Sequence, residues 1–189
     1  MCFIVQRQKT IEEIIAENSA DMTDDQKAQY AYELDKQIHG LLTGVLDVEL
    51  FTMTFDAFRE VAVAQYPTLT SLEVPDSVFT ITTESWMKKI LAKDWTNKVP
   101  YITDIGDCDK FADRLYMHLC DYYGINGALE VWGQTTVGYH GFNLTVLKEG
   151  DDYVARLIEP QTDAIFIEQG PLGIYKPDKV VAKLAIINS

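Results

Sequence analysis

The hydrophobic period changes near Pro100, from helical spacing before it to short alternating runs after it, and a chain patterned this way is held to an α+β fold. Before the change, Ala28 to Leu42 places apolar residues at helical spacing and Phe55 to Gln65 forms another helical candidate. Thr10 with Glu13 and Thr23 with Gln26 fit the capping box, in which a hydroxyl and a later side chain satisfy the first backbone N–H groups. Pro67 and Pro75 punctuate the stretch that leads to a further helical segment, Thr83 to Lys93. The pattern predicts a helical region over residues 1–99 and a second region over 100–189, or one compact domain that combines them. No repeat and no catalytic cluster stands out in residues 1–99.

After Pro100 a loop rich in Asp and Gly precedes one strong helix, expected from Cys108 to Tyr123 with Asp107 as N-cap and Gly124 as the C-terminal stop. Phe111, Ala112, Leu115, Leu119 and Tyr123 form its apolar stripe, and Cys108 lies on that stripe one turn earlier. Strands are expected at Ala128–Trp132, His140–Leu147, Tyr153–Glu159 and Ala164–Glu168. In the middle pair Phe142, Leu144 and Val146 point one way, Asn143 and Thr145 the other. A hairpin loop of even length centred on Glu149-Gly150 sets His140 directly opposite Glu159, and pairs Phe142 with Leu157, Leu144 with Ala155 and Val146 with Tyr153.

The 189 residues suffice for a substantial core, and a hydrophobic share of 47% with 24% charged residues is ordinary for a soluble globular protein. No window approaches the roughly 18 uninterrupted apolar residues of a membrane span. The opening MCFIVQRQK is too short in apolar residues for a signal-peptide core, so a cytoplasmic setting is expected, virus-encoded proteins included. A formal net charge of −13 disfavours nucleic acid and anionic membranes, both of which demand clustered Lys and Arg. Three cysteines, Cys2, Cys108 and Cys120, leave at least one thiol free. The sequence carries no signal of oligomeric state.

Cys108 stands between Asp107 and Asp109 at the mouth of its helix, where the helix dipole favours a thiolate and the two carboxylates oppose it. An imidazolium close by, for which His140 is the candidate, a cation near the carboxylates, or both would settle that conflict. Glu159 would then accept a hydrogen bond from the far ring nitrogen and fix the tautomer. The candidate catalytic residues are therefore Cys108, His140 and Glu159, with the Cys108 backbone N–H as an oxyanion donor and Gln161 as a side-chain candidate for the same task. His39 and His118 read as surface or packing residues. Each element of the triad also has a plain alternative: a small core cysteine, a structural histidine, a strand-ending glutamate.

Asp104, Asp107, Asp109 and Asp113 crowd four carboxylates together. Oxygen ligands of this kind suit calcium better than zinc, but acids stabilised by the helix dipole and by solvent fit the pattern equally, and the spacing is not an EF-hand loop. Lys110 and Arg114 are placed to relieve part of the repulsion.

The segments DCDKFA, GYHGFN and ARLIEPQTD resemble the papain-like cysteine protease domain of the fairy-ring mushroom agglutinin type and, more loosely, the transglutaminase-like and NlpC/P60 peptidase groups. The likeness covers about residues 101–166, with no sugar-binding β-trefoil ahead of it. It implies a papain-like core, a nucleophile-bearing helix on an antiparallel sheet, within an α+β fold; the helical region expected ahead of it is where this chain departs from that agglutinin. It implies a hydrolase acting on a peptide or protein substrate through Cys108, His140 and Glu159, activated by calcium at Asp107 and Asp109. An acyl transferase using the same triad and an idle papain-like module that binds a partner are the alternatives.

Overall fold

The computed structural model describes residues 22–180 apart from 46, 73 and 104. The capping box at Thr10 and Glu13, Cys2 and Asp104 lie outside these residues. Contacts divide the chain into two compact units, Met1–Gly44 and Val45–Ser189.

In the first unit α1, Asp24–Thr43, begins at the expected capping box. The Thr23 hydroxyl accepts from the Gln26 backbone N–H at 3.3 Å, and the Gln26 side chain accepts from the Thr23 backbone N–H at 2.9 Å. Asp24 and Asp25 in its first turn complement the helix dipole, and Gly44 closes it in a left-handed conformation.

The second unit is α+β. Strands β1 (Leu50–Thr54) and β2 (Val78–Thr82) pair antiparallel. Helices α2 (Phe55–Gln65) and α3 (Glu84–Leu91) each start at a threonine whose hydroxyl caps the helix, Thr54 and Thr83. A short 3₁₀ turn, Thr96–Lys98, precedes α4, Cys108–Tyr123. Then come β3 (Ala128–Thr135), β4 (Gly138–Glu149), β5 (Asp152–Glu159) and β6 (Ala164–Phe166). The small ribbon β7 (Gln169–Gly170) with β8 (Gly173–Ile174) and the strand β9 (Lys176–Val180) follow. One antiparallel sheet takes the order β6-β5-β4-β3-β9.

Both faces of that sheet are covered, and this decides the burial of β4. One face packs Phe142, Leu144, Val146, Leu129, Val131 and Leu157 against Phe58 and Ala62 of α2 and Phe79 and Ile81 of β2. The other packs Leu147 and Ile158 against Leu115, Leu119 and Tyr123 of α4 and Met87, Ile90 and Leu91 of α3. Asn143 and Thr145, polar on the second face, are consequently buried. Asn143 Nδ2 meets this by donating to the Ala112 carbonyl of α4 at 2.9 Å, which ties the helix to the strand one turn from Cys108.

Three expectations change. Residues 1–99 include β1 and β2 as well as helices. Phe58 and Phe79, from that stretch, share one core with Phe142, so no core boundary falls at 99/100. The β4–β5 register also differs: Glu149 faces Asp152 across the two-residue loop Gly150-Asp151, and Leu144 faces Leu157 rather than Ala155. Gly150, at φ 60°, supplies the positive φ that the first position of a type II′ turn requires. Because the slip is even, every side chain keeps its face, but His140 and Glu159 become diagonal neighbours rather than directly opposed ones.

Candidate functional site

The site lies where the N-terminus of α4 meets β4. Gly141 makes the approach possible: a Cβ at this position would lie 3.2 Å from Asp109 Cα and 3.5 Å from the Cys108 carbonyl carbon. The glycine's backbone N–H is hydrogen-bonded to the Cys108 sulfur, and the neighbouring His140 side chain is hydrogen-bonded to it as well. Cys108 is half-buried, while His140 is only 7% exposed.

Glu159 closes the chain of contacts. Its Oε2 lies 2.7 Å from His140 Nε2, which leaves Nδ1 as the ring nitrogen for the thiol. The same oxygen accepts from the Tyr175 hydroxyl at 2.8 Å, and Oε1 accepts from the Gln161 backbone N–H at 3.3 Å. At 1% exposure Glu159 is a buried carboxylate whose hydrogen bonds all converge from the site itself. Diagonal placement on adjacent strands suffices for this because the imidazole and the glutamate are both long enough to span it.

The electrostatics follow from these contacts. The hydrogen bond with His140 holds the Cys108 thiol below its ordinary value against the cost of burial; the Gly141 N–H and the imidazolium charge assist, and Asp107 opposes. Burial alone would depress His140, but its hydrogen bonds and charge interactions with Cys108 and Glu159 outweigh burial and raise it to about 9. Each group thus favours the charged form of the other. Cys120 is the contrast: burial pushes its thiol up to about 11.

The aspartates are placed differently from expectation. Asp107 occupies the N-cap position, yet its side chain makes no cap hydrogen bond to α4. It is hydrogen-bonded to Asp109, and that contact, with Lys110 Nζ at 2.7 Å, holds the Asp109 carboxyl below the usual range. Lys110 therefore supplies the relief that the crowded carboxylates require, whereas Arg114 stacks over Trp95 and Phe111. Asp113 lies one turn further along α4. Among the described residues, which leave out Asp104, no three acidic, histidine or cysteine side chains gather as metal ligands.

Two features escaped the sequence reading. Tyr175 stands outside any motif that would flag it, between β8 and β9. His118 is more than a packing residue: its Nδ1 lies 2.7 Å from the buried Asp94 carboxylate, and Asp94 also accepts from the Thr96 backbone N–H at 2.7 Å. An Asp before a 3₁₀ turn and a histidine on the buried side of α4 were both visible in the sequence, but nothing there linked them.

No protein-family model matches this chain, and no curated protein matches it. Solved structures do. PSL1a in its E64 complex aligns with a TM-score of 0.56 at 19% identity over 68% of this chain. Polyporus squamosus lectin bound to the human-type influenza-binding epitope Neu5Acα2-6Galβ1-4GlcNAc aligns with a TM-score of 0.55 at 18% identity over 67%. The chain spans about half the length of these structures, 50% and 48%, and at such identities the likeness is one of fold.

These neighbours correct the functional expectation. They are named as a lectin and as PSL1a with E64, neither as a papain-like protease, and the assignments to a cysteine protease and hydrolase with a peptide substrate are withdrawn on that finding. The physical reason is general: a cysteine at a helix mouth beside a strand histidine favours a more acidic thiol and says nothing of which bond, if any, is cut, and one fold hosts many functions. Among the described residues no helix is long and apolar enough to cross a membrane.

Proposed function

We propose that Cys108, His140 and Glu159 form a reactive-thiol centre in a ligand-binding domain, with the Cys108 thiolate capturing an electrophilic ligand. The observation that carries this reading is the unbroken run of contacts from the half-buried thiol through His140 to the buried Glu159 carboxylate, 2.7 Å from Nε2. In the capture step the sulfur forms a bond to an electrophilic carbon, and the group displaced or the oxygen of an opened ring takes the proton that His140 carries. Gln161 contributes through its backbone N–H, which braces Glu159; its side chain and the Cys108 N–H are candidate donors to an oxygen that gains charge. As a description of fold, a papain-like core, with the cysteine-bearing helix on an antiparallel sheet, belongs to this reading and carries no claim about bond cleavage.

The test is labelling followed by peptide mass analysis, with iodoacetamide and with E64, the compound named with PSL1a. At pH 7 Cys108 is expected to react at least about 100 times faster than Cys120, since a thiol at about 11 holds only about one part in ten thousand as thiolate. Equal, slow labelling of the two thiols would sink the reading.

Carbohydrate binding is a second reading, favoured by the lectin's named ligand and by an aromatic pair beside the site. Trp132 stacks on the half-exposed Tyr139 at 5.6 Å, next to His140 in sequence, and Trp132 Nε1 donates to Glu130 at 3.1 Å. Titration with Neu5Acα2-6Galβ1-4GlcNAc should quench tryptophan fluorescence saturably, and the quench should vanish in Trp132→Phe. A fluorescence signal that does not respond, or responds equally in the variant, counts against it.

A further inference from the structure

We infer that Tyr175 is a positioning residue for the reactive thiol, acting through Glu159; the inference rests on the reactive-thiol reading. Its hydroxyl donates to Glu159 Oε2, the same oxygen that receives His140 Nε2, so the phenol and the imidazole together define where that oxygen sits. Without the phenol, Oε2 retains the imidazole alone, and the carboxylate is free to turn about the Gln161 N–H that holds Oε1.

The phenol is itself held on every side. Its oxygen accepts from the Leu172 backbone N–H at 3.3 Å, which orients the hydroxyl proton toward the carboxylate. The ring is 1% exposed and packs edge-on to Phe142 at 5.1 Å and to His140 at 6.2 Å, with Phe166 at 4.6 Å. The backbone is anchored at Tyr175 and at the residue before it: Tyr175 N–H donates to the Glu168 carbonyl at 2.8 Å, and Ile174 N–H to the Thr136 hydroxyl at 2.9 Å. A buried phenol spends its hydrogen bond where a partner exists, and here the partner is the carboxylate at the far end of the nucleophile's chain. Packing would be served as well by phenylalanine; the hydroxyl is what reaches the site.

The deciding experiment compares Tyr175→Phe with Phe166→Leu, which loosens the same packing and leaves the hydrogen bond. Tyr175→Phe is expected to slow iodoacetamide labelling of Cys108 about five- to tenfold at pH 7, as expected from partial loss of a charge-assisted hydrogen bond. It should also move the ¹⁵N and proton resonances of the His140 ring. Phe166→Leu should lower the melting temperature and do neither. In a Glu159→Gln background Tyr175→Phe should add nothing, because the carboxylate it positions is gone. Should Tyr175→Phe not fold, 3-fluorotyrosine placed at position 175, nearly the same shape and a stronger donor, must still move the His140 resonances.

Unmoved His140 resonances, or labelling at the wild-type rate in Tyr175→Phe, overturn the inference while leaving the reactive thiol intact. Slow labelling of Cys108 in the wild-type protein removes the reading beneath it instead.

Discussion

Replacing His140 by alanine is expected to slow alkylation of Cys108 at pH 7 by about a hundredfold, with the fold retained. The largest influence lowering the thiol is its hydrogen bond with His140, and the imidazolium charge adds to it. With both removed, burial and Asp107 act on Cys108 against little besides the Gly141 N–H and the helix mouth. Losing the group that most lowers the thiol cuts the share of Cys108 present as thiolate at neutral pH, and the alkylation rate falls with it. The pairing also leaves a mark on stability. His140 is raised from 6.5 to about 9, so its contribution is complete below about pH 6.5 and is lost as the pH climbs through about 9. In His140→Ala the fall in melting temperature across that window should flatten. An alkylation rate within threefold of wild type would show that the histidine does not govern the thiol.

Phe142→Ala is expected to cost about 3–5 kcal/mol, the range for removing a fully buried aromatic ring. The residue has no exposed surface, and it sits at the centre of β4 in the larger of the two cores. Its ring also stacks on His140 at 6.2 Å and meets Tyr175 edge-on at 5.1 Å, so the cavity opens against two of the three groups that hold Glu159. Chemical denaturation should register the loss as a lower midpoint with an unchanged slope. Phe142→Leu, which keeps most of the volume, should recover more than half of it. A loss below about 1 kcal/mol would mean that the core closes around the gap, contrary to the packing described.

Local patterns were legible in the sequence wherever one element settles its own form. Helix α4 has the expected bounds and the expected buried stripe, because a stop glycine and a 3.6-residue period are local signals. The same holds for α2 and for the capping box of α1. Strands β1 and β2 were missed although LFTMT and VFTIT carry β-branched and aromatic residues, since the partners are separated by α2 and the helical signals around them dominate. The hairpin illustrates a different limit. Parity was readable from Phe142, Leu144 and Val146, whereas the register hung on whether the turn was Glu149-Gly150 or Gly150-Asp151, and only the second agrees with the pairing. That Asn143 lies on the face opposite Phe142 was readable; that α4 covers it there was not.

For the candidate site, Cys108, His140 and Glu159 could be named from the sequence, while Tyr175 and the Gly141 N–H depend on distant segments meeting. What those residues are for was the least legible part. The motif likeness pointed to a protease, and the solved structures that share the fold bear other names.

The central claim is that Cys108 exists as a thiolate paired with the His140 imidazolium. It is tested most directly by the pH dependence of the Cys108 labelling rate, with Cys108→Ser as the blank and His140→Ala alongside. The predicted profile for the wild-type protein rises below the ordinary thiol value of about 8.5, while the His140→Ala profile is displaced to higher pH. A wild-type profile that climbs only around or above that ordinary value, superimposed on the variant's, would contradict the pairing and the reactive-thiol centre built on it.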